Sequence, residues 1–207
     1  MSKAKYPRLD LGTIEAVVNK LGGMEGLGRF LRGETSVVAS IPNRWPIWGN
    51  VALGTEVKTG IDFCDRLGGN HVSQGAEVLL KMPDFKESIA EVWARVNLVG
   101  VTVAELGFDH SATYQEICQR AIERGLSLCS AEVGPQLCLQ YWGQLDNKWD
   151  YVIAMEAITD TNNRPRLFHV EKNPSGVTFL SFSAGDPQEF YGVKAQFLFQ
   201  CHNCVKG

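Results

Sequence analysis

Three side chains in this sequence have the types that group-transfer chemistry uses: the thiol of Cys129, the carboxylate of Glu132 three residues on, and the imidazole of His169. A cysteine attacks as its thiolate, which needs a base such as histidine within hydrogen-bond reach, and a carboxylate can orient that base or hold the substrate. Cys129 and Glu132 belong to the stretch "LSLCSAEVGPQLCLQYWGQ", residues 126–144, which also carries Tyr141 and Trp142. In a pocket those rings would supply stacking surface, with Arg166 as a cation for binding. The same residues also fit a corner of the core, with Glu132 in an ion pair with Arg120, Arg124 or Arg166 and the chain turning at Gly134-Pro135.

The one spacing that suits a metal is the "CHNC" of Cys201 to Cys204. Its two thiolates are half of a closed tetrahedral zinc site, and the other donors, Cys129 and Cys138, are too far apart in sequence for a zinc knuckle. A tail with incidental cysteines is the expectation, and no metal or cofactor is implied. "GGMEGLG" lacks both the lysine of a P-loop and the strand-to-helix setting of a dinucleotide site. No H-E-x-x-H, G-x-S-x-G or EF-hand loop occurs.

Composition narrows the class. The 207 residues are 44% hydrophobic and 21% charged, with a net charge of −3 and no run of like charges. A chain of this size buries roughly 70% of its unfolded surface and needs no covalent staple. Nothing in the charge pattern suits a nucleic-acid backbone or an anionic bilayer, so nucleic acid and membrane are disfavoured as partners. With no apolar leader and no span-length apolar run, the expected compartment is the cytoplasm, where the six cysteines would stay reduced.

The elements that must position these residues can be read from periodicity. Ile14, Val17, Val18 and Leu21 form one helical face, and Met24, Leu27, Phe30 and Leu31 a second, giving a helical hairpin over 1–36. As a DNA-binding pair it would use Arg29 and Arg32 beside Lys20. Residues 37–58 read as a loop-rich connection in which Trp45 and Trp48 are the candidates for an exposed apolar patch. An α+β domain follows over 59–200, then a tail at 201–207. Within it Thr59 and Asp62 resemble a capping box, and a helix over 73–81 stops before Pro83. Residues 91–105 are β-rich. Thr113 and Glu116 form a T-x-x-E box ahead of a stripe of Tyr114, Ile117, Cys118, Ala121 and Ile122 that ends at Gly125. The alternation of Leu137, Leu139 and Tyr141 predicts a strand, followed by strands near 149–156, "RLFHVEK", "VTFLSF" and "VKAQFLF".

The phrases "LGGMEGLGRFLRGE", "KTGIDFCDRL", "LLKMPDF", "VTVAELGF", "ATYQEICQRAIERGLSLCSAEVGPQLCLQY", "YVIAMEAITD" and "RPRLFHVE" together resemble a protein family multiplied in the genomes of small-celled candidate-phylum bacteria. The resemblance covers about residues 20–182. Where that family has proline, arginine and proline, this chain has Ser130, Cys138 and Ala157. A folded domain is what the resemblance implies; it brings no activity, cofactor or partner.

The sequence thus predicts an α+β fold: N-terminal helices, then an antiparallel β-meander of about five strands packed on the Thr113 helix. The function it favours is a non-enzymatic interaction or accessory module with a protein partner. A small hydrolase or transferase at Cys129, Glu132 and His169 is the alternative, and a nucleic-acid-associated regulator using the N-terminal helices is the third reading.

Overall fold

The computed structural model describes residues 14–15, 18–19, 21, 23–33, 45–141, 150–172 and 177–202. The chain divides into two compact units, Met1–Ser40 and Ile41–Gly207. In the first, α1 (Gly23–Leu31) is amphipathic and buries none of its residues; Met24 and Leu31 are largely exposed. Arg29 on it and Arg32 just past its end are exposed, while Lys20 lies outside the described residues.

The second unit is α+β. Its strands are β1 (Gly49–Leu53), β2 (Ala94–Thr102), β3 (Ala112–Thr113), β4 (Asp150–Ile153), β5 (Ile158–Thr159), β6 (Pro165–Lys172), β7 (Thr178–Ala184), β8 (Phe190–Tyr191) and β9 (Gln196–Cys201). Its helices are α2 (Gly60–Leu67), α3 (Gln74–Leu80), α4 (Pro83–Ser88), α5 (Tyr114–Glu123) and α6 (Val133–Gln140). Seven strands form one sheet and β3 pairs with β8 in a small second one. Among the described residues no helix is long and apolar enough to cross a membrane.

Strand order follows from the registers. β1 pairs with β2, β2 with β9, and β9 with β4, the last pair parallel and the others antiparallel. Arg166 of β6 pairs with both Ile158 and Ala184, and His169 with both Val152 and Ser181. A strand has two edges, so β4 and β5 share one edge of β6 and β7 takes the other. The sheet is therefore mostly antiparallel, as the alternation implies, but it is not a sequential meander: β9 crosses back to lie between β2 and β4.

Local signals account for several helices. Both capping boxes form, Thr59 with Asp62 ahead of α2 and Thr113 with Glu116 ahead of α5, and Ser73 caps α3. Proline at the start of α4 costs no hydrogen bond, because the first-turn N–H has no helical partner. The helix embedded against the sheet is α6 rather than α5. Residues Val133 to Cys138 are all buried, and α6 packs on β1, β6, β7 and α2. A strand was expected there, because a helix buried on every side loses the polar face that marks a 3.6-residue period. Pro135 fits in its first turn, and Gly134 lets it settle on β6: a Cβ there would stand 2.9 Å from the Phe168 Cβ. Phe63, Phe85 and Phe168 pack edge to face at 5.7 Å centroid spacing in the adjoining core.

Candidate functional site

Glu132 is the N-cap residue of α6 and fully buried. Its carboxylate accepts from the backbone N–H of Gly54 (3.0 Å), the backbone N–H of Ala90 (2.9 Å) and the Gln136 amide (2.8 Å). The core-corner reading anticipated an arginine partner. The arginines are engaged elsewhere: Arg120 with the Leu106 carbonyl and the Phe108 ring, Arg124 with the Glu105 carbonyl, and Arg166 with Asp160 and the Phe182 ring. Glu132 therefore ties the residue after β1 and Ala90, two residues past α4, to α6, as a buried carboxylate satisfied by N–H donors.

The residues one and two turns further along continue this pattern. Gln140 accepts from the Ala52 N–H at 2.9 Å and donates to the Ala52 carbonyl at 2.7 Å. Gln136 donates to Thr55 Oγ1, and its own oxygen accepts from Gln140. The Tyr141 hydroxyl donates to the Asn50 carbonyl at 2.6 Å and accepts from the Asn50 N–H at 3.2 Å. Asn50 and Ala52 are alternate residues of the edge strand and Gly54 follows its end, so these are the groups that a further strand would take. Side chains at 132, 136, 140 and 141 fill that place. Tyr141 is accordingly a structural hydroxyl and not a free stacking platform; its ring meets Trp48 at 5.9 Å. Trp142 lies outside the described residues.

At the opposite edge, the Ser73 N–H donates to the Leu180 carbonyl and the Leu180 N–H donates to the His71 carbonyl. Phe182 there lies against Gly75, where a Cβ would fall 1.9 Å from the ring.

Cys129 and His169 are held by separate partners. The Cys129 thiol is buried and donates to the Leu198 carbonyl at 3.5 Å, and burial pushes its pKa up, away from the thiolate. Burial does the same to Cys138. His169 Nε2 stands 2.6 Å from Asp150 Oδ1, and its Nδ1 stands 3.4 Å from Ser183 Oγ. Cys129, Glu132 and His169 thus share no hydrogen-bond partner, and His169 is lined up instead with Asp150 and Ser183, two residues that the sequence reading passed over. Their signal was weak: strand parity puts Ser183 on the face of β7 that His169 occupies on β6, but only the pairing register makes that usable.

Among the described residues no group of three or more His, Cys, Asp or Glu is placed to hold a metal. Cys201 is bonded in a disulfide, which overturns the expectation that all the cysteines are reduced and leaves its sulfur no thiolate to offer. Cys204 lies outside the described residues. His202 is exposed, 3.2 Å from Gln200 Nε2.

Two adjoining clefts lie among the described residues of this unit. The larger, about 620 Å³, has Asp84, Glu87 and Ser88 of α4 on one wall, Leu128–Ala131 on another and Glu156–Ile158 on a third. The second, about 500 Å³, is bounded by Tyr114 and Cys118 of α5, Met155, Pro165 and Pro187, and shares Leu128, Glu156 and Ala157 with the first.

No protein-family model, no characterised protein and no solved structure matches the chain.

Proposed function

We propose that the protein is a non-enzymatic interaction or accessory module, engaging a protein partner through the corner formed by Val92, Trp93 and Arg95. The observation that carries this reading is the exposure of two adjacent large apolar side chains, 78% for Val92 and 59% for Trp93, on a turn fixed from within. Lys58 Nζ donates to the carbonyls of Gly54 (3.3 Å) and Glu91 (3.4 Å), beside that turn. The Arg95 guanidinium stands 6.0 Å from the Trp93 ring centroid. Tryptophan and arginine are the residues in which interface affinity concentrates, and apolar groups held in water on a fixed turn favour contact with a partner. Trp45 and Trp48 do not supply this patch: both are half-buried, and Trp48 packs against Tyr141 and Tyr151.

Placing a photoreactive amino acid at 93, with an exposed control at Gln119, tests the corner in living cells. The expected outcome is a discrete crosslinked partner from position 93 alone, lost on Arg95→Ala while the denaturation midpoint holds. Equal crosslinking from both positions would sink the proposal.

The hydrolase or transferase expected at Cys129, Glu132 and His169 is replaced, as a second reading, by a hydrolase on the Ser183–His169–Asp150 line, in which the histidine can take the serine proton and the carboxylate hold the ring. It predicts that a fluorophosphonate labels Ser183 and that His169→Ala abolishes the labelling; an unlabelled Ser183 ends it. Membership in the candidate-phylum family is proposed on the quoted phrases alone.

A further inference from the structure

The two adjoining clefts differ in chemistry, and together they define a ligand. The larger carries three exposed carboxylates, Asp84, Glu87 and Glu156, and no lysine, arginine or histidine stands among its lining residues. Its hydroxyls and thiol point their hydrogens into the protein. Ser88 Oγ donates to the Phe85 carbonyl, Ser130 Oγ to the Ser88 carbonyl and Cys129 Sγ to the Leu198 carbonyl. What these side chains turn toward the space is therefore lone pairs and negative charge.

The second cleft is walled mainly by apolar groups, among them Leu128, Met155, Ala157, Pro165 and Pro187. The Tyr114 hydroxyl on its wall donates to the Met155 carbonyl at 2.6 Å. Gln115 on this wall keeps donor capacity, since its oxygen already accepts from Gln188.

We propose that the joined clefts bind a small organic cation, an ammonium or guanidinium head against Asp84, Glu87 and Glu156 with an apolar tail over Leu128 and Ala157. A site lined by acceptors favours a ligand that donates, and three carboxylates repel an anion. The cleft volumes fall in the range that small ligands occupy, and Glu156 and Ala157, common to both clefts, place the charged and apolar ends side by side.

Three probes of similar shape decide it, titrated into the full chain and followed by amide resonances: phenethylamine, phenethyl alcohol and phenylacetate. The expected result is that phenethylamine moves the amides of Leu128, Glu156 and Ala157 and binds about tenfold tighter than the alcohol, as one or two carboxylate contacts near the surface would give. Phenylacetate should leave those amides still. Glu156→Gln should weaken the amine several-fold without affecting the alcohol, and methylamine, which lacks the tail, should bind more weakly than phenethylamine. The three carboxylates are exposed, so Asp84→Asn with Glu87→Gln is a second variant that keeps the fold. Equal shifts from all three probes, shifts confined to other residues, or no shift at saturating amine would each overturn the proposal.

Discussion

At the scale of the residue, Glu132 is held as a structural group. Its carboxylate satisfies donors from Gly54 and Gln136 in a buried setting and from the half-buried Ala90. Glu132→Ala strands those donors in the core, and each unsatisfied buried group costs about 1–3 kcal/mol. A loss of about 3 kcal/mol or more in urea unfolding is expected, against less than about 1 kcal/mol for the exposed Glu156→Ala. The thiols give a pH dependence. Burial pushes Cys118 up from 9.0 to about 11, only partly offset by its hydrogen bond with Tyr114, and burial raises Cys129 and Cys138 as well. A group whose folded pKa lies above its unfolded value stabilises fully below the unfolded value and loses that contribution as pH climbs through the folded one. The urea midpoint should hold up to pH 9, then fall toward pH 11 and beyond. Cys118→Ala should flatten the early part of that fall.

At the scale of the element, α5 and α6 mark what could and could not be read in advance. α5 announced itself, because Thr113 and Glu116 cap it and its apolar residues recur on one side. α6 concealed itself. Its sequence alternates Leu137, Cys138, Leu139 and Gln140 in a way that mimics a strand, and the sign of a helix was the spacing of Glu132, Gln136 and Gln140 at four-residue intervals. That spacing makes sense only once it is known that β1 needs partners. β1 itself fell within a stretch dominated by Pro42, Pro46, Gly49 and Gly54, and the place of β9 between β2 and β4 is a pairing between distant segments that no local pattern records. The side-chain ladder on β1 is testable amide by amide. Gln140→Ala should speed hydrogen exchange at Ala52, and Tyr141→Phe at Asn50, each with about 1 kcal/mol lost globally. Equal acceleration along all of β1 would show that the helix had moved rather than that one partner had gone.

At the scale of the whole molecule, the core belongs to the larger unit. Every buried hydrophobic residue described, from Val51 to Cys201, lies within Ile41–Gly207. A chain beginning at Ile41 is therefore expected to keep its amide spectrum and to unfold within about 1 kcal/mol of the full chain. A collapsed spectrum would show that Met1–Ser40 is needed for folding. The ladder of Glu132, Gln140 and Tyr141 also bears on how copies of this chain behave together. A bare edge strand is a template on which another molecule can add its own, the first step toward fibrils and swapped dimers. Here the open groups of Asn50, Ala52 and Gly54 are taken from within, and those of Leu180 at the far edge by His71 and Ser73. Resistance to aggregation thus depends on α6 remaining folded, and loosening that one buried helix would turn this edge into a nucleus for assembly.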